Sequence, residues 1–172
     1  MNGRQNRRVF NIALTGLFCA LVFVMTAYFP RIPTLRGYIH IGDAAIYLAA
    51  SMLPQPYAAA AAGLGGFLAD ALTGYAVWAP YTLIIKCCLT VAFTSKGEKF
   101  MNRRNIFASV AAFPITIAGY YIAAFIVSRN MAAALSEIPA NAVQAAGSMI
   151  LYILFAGCMD KTGVKTRLLG SV

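Results

Sequence analysis

The sequence predicts an all-α membrane protein, a six-transmembrane-helix bundle with both termini on the cytoplasmic side. Three observations carry that reading. Of 172 residues, 60% are apolar and 11% charged, with a mean hydropathy of +0.71; soluble domains average about 45–50% apolar and about 25% charged. A globule this small has too little interior to hide the excess, and a chain this apolar is not disordered. The apolar residues also fall in runs separated by polar or proline-bearing breaks, and the basic residues gather in those breaks. The whole chain, 1–172, reads as one integral membrane domain.

The first element is expected over 9–29, since about 20 residues at 1.5 Å rise cross a hydrocarbon core of roughly 30 Å. The preceding basic residues resemble the start of a signal peptide. No A-x-A cleavage site follows, so the run reads as an uncleaved first helix. A Pro- and Arg-bearing segment, 30–41, is too polar to continue the helix and reads as a loop. Two short helices, 42–53 and 57–72, are separated by Pro54-Gln55-Pro56, a strong breaker. The second contains AAAAAGLGG, small residues that permit close helix packing. A turn around Thr73–Tyr75 leads to a fourth helix at 79–93. A basic loop follows, then a fifth helix at 106–127 and a sixth at 139–158.

Charge supports this order. Of the 14 Lys and Arg, ten lie at the N-terminus (Arg4, Arg7, Arg8), in one loop (Lys96, Lys99, Arg103, Arg104) and at the C-terminus (Lys161, Lys165, Arg167). An even helix count puts all ten on the cytoplasmic side and leaves only Arg31, Arg36 and Arg129 outside, as the positive-inside rule requires. The net charge of +9 is thus a topology signal. No aromatic-interleaved basic face accompanies it, which argues against nucleic acid as a partner. The four cysteines (Cys19, Cys87, Cys88, Cys158) lie in apolar runs without C-x-x-C spacing, and His40 is the one histidine. A zinc site cannot be assembled from these, and no metal or other cofactor is expected.

Ionisable groups in hydrocarbon are costly, so each is a candidate for function. Asp43, Asp70 and Lys86 qualify, and His40 stands three residues ahead of Asp43, on the same face if the helix starts early. Asp43 also fits a cap at the membrane interface. Asp70 and Lys86 are placed to pair across neighbouring helices, the alternative for Lys86 being a ligand contact. Tyr38, Tyr75, Trp78, Tyr81, Tyr120 and Tyr121 gather near the expected outer ends, as an interfacial belt or a stacking surface. Asn141 and Gln144 share a face and suit either helix–helix bonding or a flat polar ligand. Gly16 and Ala20 form a small-x-x-x-small step on the first helix, with Ala13 nearby, where another helix can approach. No P-loop, H-E-x-x-H or G-x-S-x-G is present, and His40 is the sole candidate base for a serine dyad. The chain is not expected to be an enzyme, and no catalytic residues are expected.

The order of a small-residue first helix, GYIHIGDAAIYLAA, PYAAAAAGLGGFLADALTGYAVWAPYTLIIK and IPANAVQ resembles the substrate-binding S component of energy-coupling factor (ECF) vitamin transporters, in the riboflavin- and hydroxymethylpyrimidine-type group. The resemblance runs from about Ala13 to Leu154. It implies a six-helix bundle that captures a small water-soluble vitamin or precursor at the outer face of the bacterial plasma membrane, an aromatic heterocycle such as hydroxymethylpyrimidine, pyridoxine or riboflavin. The loop 30–41 would be a lid. Tyr38, Trp78 and Tyr81 would stack on the ligand, with Tyr75 beside them. His40, Asp43, Lys86, Asn141 and Gln144 would orient it. A membrane coupling protein (the T component) and two cytoplasmic ATPases would drive uptake as an ABC importer. The family's docking step would fall on Gly16 and Ala20, with Ala13 on the same helix. Two other classes stay open on the residues alone: an ion-gradient-driven small-molecule transporter and a non-transporting membrane scaffold.

Overall fold

A computed structural model describes residues 3–29, 31–34 and 38–170 of the chain; Arg36 and Gly37 of the expected lid lie outside them. The chain forms α1 (Gly3–Ala27), a two-residue antiparallel pair β1 (Ile32–Pro33) and β2 (Tyr38–Ile39), then α2 (Gly42–Met52), α3 (Gln55–Leu72), α4 (Ala79–Thr90), α5 (Arg103–Ser128), α6 (Met131–Ser136), α7 (Ile138–Thr162) and α8 (Val164–Gly170). It is an all-α membrane protein. Among the described residues, three stretches have the length and apolarity to cross a bilayer: Arg4–Ala27, Arg103–Ser128 and Met131–Thr162.

The differences from expectation have local causes. The polar residues ahead of Val9 continue the first helix, so α1 starts at Gly3. Pro54 stops α2 and serves as N-cap of α3, whose Pro56 sits in the first turn, where a missing N–H costs nothing. Asn102 caps α5 by accepting from the Asn105 N–H, which moves the helix start to Arg103. α4 ends at Thr90, short of 93. The short helices α6 and α8 and the β1–β2 pair, with Ile32 opposite Ile39 and Pro33 opposite Tyr38, were not expected.

α2 is the central element. Ten of its 11 residues are buried, as for a helix that is apolar all round, and it touches α1, α3, α4 and α7. α3 lies between α1 and α4 and presents Ala58, Ala61, Ala62, Gly65 and Gly66 inward. A Cβ at Gly65 would stand 2.8 Å from the Cys19 carbonyl oxygen and from Val22 Cβ, so α1 and α3 meet backbone against side chain. α5 closes the bundle against α4 and α7. At one end of the core the Tyr47 and Phe93 rings stack at 5.2 Å and Tyr152 meets both edge-on at 5.8 Å.

This end of the bundle also carries the basic loop, which buried polar groups pin in place. The Asn105 side chain, fully buried, donates to the carbonyls of Thr94 (3.0 Å) and Phe100 (2.9 Å) and accepts from the Thr94 N–H. The Asp160 carboxylate accepts from the N–H groups of Phe100 (2.7 Å) and Met101 (2.9 Å). Lys165 Nζ donates to the Lys99 carbonyl. The lid, the 73–78 turn and the 129–137 connection occupy the opposite end.

Candidate functional site

At the lid end the structure holds a cavity of about 60 Å³, room for on the order of four waters. The segment after α1 contributes Thr34, Tyr38, Ile39 and His40. The last turn of α3 gives Asp70, and the following connection gives Tyr75 and Trp78. Tyr120 comes from α5, and Glu137, Ala140, Asn141 and Gln144 from the entry to α7. Each is there for a local reason. Gly74, at φ 90°, reverses the chain after α3 and hands it to Tyr75 and Trp78. Pro139 in the first turn of α7 starts the helix that presents Asn141 and Gln144 one turn apart.

Tyr38, on β2, makes several contacts at this end. Its hydroxyl donates to Asp70 Oδ1 at 2.9 Å, its ring meets Tyr75 edge-on at 4.8 Å and the His40 ring at 5.7 Å, and the Arg31 guanidinium lies 4.9 Å from its centroid. Burial and the neighbouring Asp70 charge push the Tyr38 phenol well above its ordinary range. His40, in the loop ahead of α2, is held uncharged. Burial, then the nearby Lys86 charge, lower its pKa to about 3, against the opposing pull of Asp43. Its Nδ1 accepts from the Gly42 N–H at 3.0 Å, which leaves the ring proton on Nε2.

Below the cavity floor lies a charged pair. Lys86 Nζ and Asp43 Oδ1 are 2.6 Å apart and neither side chain has any exposure. Gln144 Nε2 donates to Asp43 Oδ2 at 3.1 Å while Gln144 Oε1 accepts from the His40 N–H at 3.4 Å. Gln144 therefore joins the pair to the lid. Lys86 Nζ also lies 5.2 Å from the Tyr120 ring centroid, a cation–π distance, and the Tyr120 and Thr82 hydroxyls are 3.3 Å apart.

Eight of the residues singled out from sequence, Tyr38, His40, Asp70, Tyr75, Trp78, Tyr120, Asn141 and Gln144, line the cavity. Asp43 and Lys86 lie beneath it as the ion pair. Tyr81 stands outside it, because the inward face of α4 runs through Thr82, Lys86 and Thr90. Two expectations are corrected. Lys86 pairs with Asp43 rather than with Asp70, whose partner is Tyr38. Asp43 is fully buried and caps nothing, since the N-cap position is Ile41. Thr34, Ile39, Glu137 and Ala140 were missed as lining. Glu137, the one acidic residue between Glu98 and Asp160, was a signal passed over. Ala13, Gly16 and Ala20 share the exposed side of α1, and a Cβ at Gly16 would meet nothing within 4 Å.

Aromatic rings, amides and a neutral imidazole gathered beside the β1–β2 pair can stack on a flat polar molecule and fix its orientation. Fold and cavity together define a membrane-embedded small-molecule-binding protein. The sequence model of the family described as "ECF-type riboflavin transporter, S component" matches residues 6–161. The chain belongs to that family, whose members are the substrate-binding components of a transporter and not enzymes. A curated relative from Pyrococcus woesei, described as "Uncharacterized protein in gap 3'region", is 31% identical over 122 residues, 70% of this chain and 80% of that protein.

Proposed function

We propose that this chain captures a small aromatic vitamin or precursor, a heterocycle such as hydroxymethylpyrimidine, pyridoxine or riboflavin, for uptake driven by a T component and two ATPases. The observation that carries the reading is the cavity itself, whose lining brings Tyr38, Tyr75 and Trp78 together with Asn141 and Gln144. In this reading α1 to α5 and α7 are the six spans of a multi-pass cell-membrane protein. The basic ends are cytoplasmic and the cavity opens outside. α2 and α4, about 17 and 18 Å long at 1.5 Å per residue, cross only with help from the connections that flank them. The lid segment would move aside to admit ligand and settle over it. Tyr38, Tyr75 and Trp78 would stack. His40, Asn141 and Gln144 would give hydrogen bonds, with Asp43 and Lys86 holding Gln144 in place. The exposed small-residue side of α1 supports docking on a coupling protein through Ala13, Gly16 and Ala20.

The test uses Trp78, the single tryptophan. Purified protein in detergent is titrated with riboflavin, hydroxymethylpyrimidine and pyridoxine while emission is followed, with Trp78→Phe as blank and calorimetry in parallel. Saturable quenching by one compound, weakened at least tenfold in Asn141→Ala, is the expected result. Silence of both methods across the panel refutes vitamin binding.

A further inference from the structure

We infer that the middle of the α2–α7 interface is a binding site for one water molecule, held by the hydroxyls of Tyr47, Ser148 and Thr116. The inference goes beyond the vitamin reading and does not depend on what the cavity binds.

The register of the two helices points to the site. Asp43 is bonded to Gln144 and Ser51 to Tyr152, and both pairs are 101 residues apart in the chain. α2 and α7 therefore run parallel in fixed register, and the turn between those pairs sets Tyr47 against Ser148, at the same separation. The outer two rungs are closed and the middle one is open. Tyr47 and Ser148 have no exposure, and among the described residues neither hydroxyl has a hydrogen-bond partner. A buried hydroxyl without a bond is costly, and few in native proteins stay so. Ser148 also passes over the local solution. Ser51, Thr116 and Ser128 each donate to the carbonyl four residues back, at 2.7, 2.9 and 2.6 Å, a bond open to any helical hydroxyl. Ser148 makes no such bond, and its spacing of four from both Gln144 and Tyr152 keeps it on the face turned to α2.

A third hydroxyl completes the set. Thr116, buried on α5, interacts with the Tyr47 hydroxyl without the geometry of a direct bond. Its own proton goes to the Ala112 carbonyl, so its oxygen can only accept. One water satisfies all three groups: it accepts from Tyr47 and Ser148 and donates to Thr116, the three bonds typical of a buried water. Asp43 and Lys86, one turn above, are spent on each other at 2.6 Å. The site thus offers neutral oxygens with no anion free, which suits water and not a bare cation.

The experiment is a crystal structure of the full chain at a resolution that shows ordered water, joined to equilibrium unfolding of variants in mixed detergent micelles. The expected result is one density peak within hydrogen-bond distance of Tyr47 Oη, Ser148 Oγ and Thr116 Oγ1. Tyr47→Phe and Ser148→Ala should each raise the unfolding constant about fivefold, the net worth of one hydrogen bond. The double variant should fall well short of the product of the two, since both act through one molecule. No peak among the three oxygens overturns the inference, and so does Ser148 bonded directly to Tyr47 or to the Gln144 carbonyl. Single variants as stable as wild type or more so overturn it too, because the hydroxyls would then be plain orphans, and losses that multiply mean that no shared molecule links them. A peak with the short contacts of a metal ion, together with stability that rises when sodium replaces choline, identifies a cation and overturns the assignment to water. If a variant does not fold, the wild-type structure alone decides. Vitamin binding by wild type is a separate readout, so failure of either reading leaves the other standing.

Discussion

Asp43 and Lys86 are oppositely charged, fully buried and in direct contact, so each is tolerable only because of the other. Removing one partner leaves a charge in an apolar bundle, a loss of about 3–5 kcal/mol, whereas replacing both by neutral groups of similar volume is often nearly neutral. Lys86→Met should therefore lower the melting temperature in detergent steeply, and Asp43→Asn combined with Lys86→Met should recover most of it. Additive losses would show that the pair is not coupled. His40 gives a second residue-level prediction. Its pKa is lowered to about 3 in the fold from 6.5, so between these values the unfolded chain binds the extra proton. Stability is complete above about pH 6.5 and falls by about 1.4 kcal/mol per pH unit as pH drops toward 3. His40→Asn keeps an acceptor for the Gly42 N–H and cannot titrate, so its melting temperature should fall less than that of wild type between pH 7.5 and 5. Parallel decline in both proteins would locate the acid sensitivity elsewhere. The identity of the buried charges was legible in the sequence, since any ionisable group in an apolar run stands out. Their pairing was not: α3 and α4 are adjacent in the chain, which favoured Asp70 for Lys86, and only the depth and rotation of the central α2 bring Asp43 within reach.

At the scale of elements, packing on α3 is set by glycines that leave no room for a methyl group. Gly65→Ala would press on the Cys19 carbonyl oxygen and the Val22 side chain at 2.8 Å, and a backbone oxygen has little freedom to yield. The expected loss is about 1–3 kcal/mol from overpacking, read as a lower melting temperature. Gly147→Ala, whose added carbon meets nothing within 4 Å, should be neutral or slightly stabilising through helix propensity. Equal effects of the two would contradict the α1–α3 contact. The run AAAAAGLGG announced close packing, yet it does not say on which neighbours, because a helix with small residues on several faces has no single preferred partner. The short elements were harder to read. α6 has six residues and rests on an Asn130 cap whose side chain accepts from the Ala133 N–H at 3.2 Å, a signal diluted by the apolar stretch around it. The β1–β2 pair is two residues long, below any periodicity that a sequence can display.

At the scale of the whole molecule, the proposed function gives the two ends different tasks, and α1 runs between them with one face turned out. Phe18 and Val22 bury against the bundle, while Ala13, Gly16 and Ala20 share the exposed side, and a Cβ at Gly16 would meet nothing within 4 Å. A surface of small residues in lipid is suited to close approach by another helix, since bilayer tails supply no hydrophobic drive and backbone proximity decides. Gly16→Leu should then change the melting temperature by no more than the equivalent of about 0.5 kcal/mol and leave ligand affinity as it is. In membranes that also contain the T component and the two ATPases, the same variant should lose co-purification with them and lose uptake. Retained co-purification would move the docking face away from α1. Loss of ligand binding together with docking would mean that Gly16 supports the fold after all, against the open space around it. Separation of the two functions is the decisive outcome, because it requires a binding site at one end that works without its motor and a helix face that recruits the motor without touching the ligand.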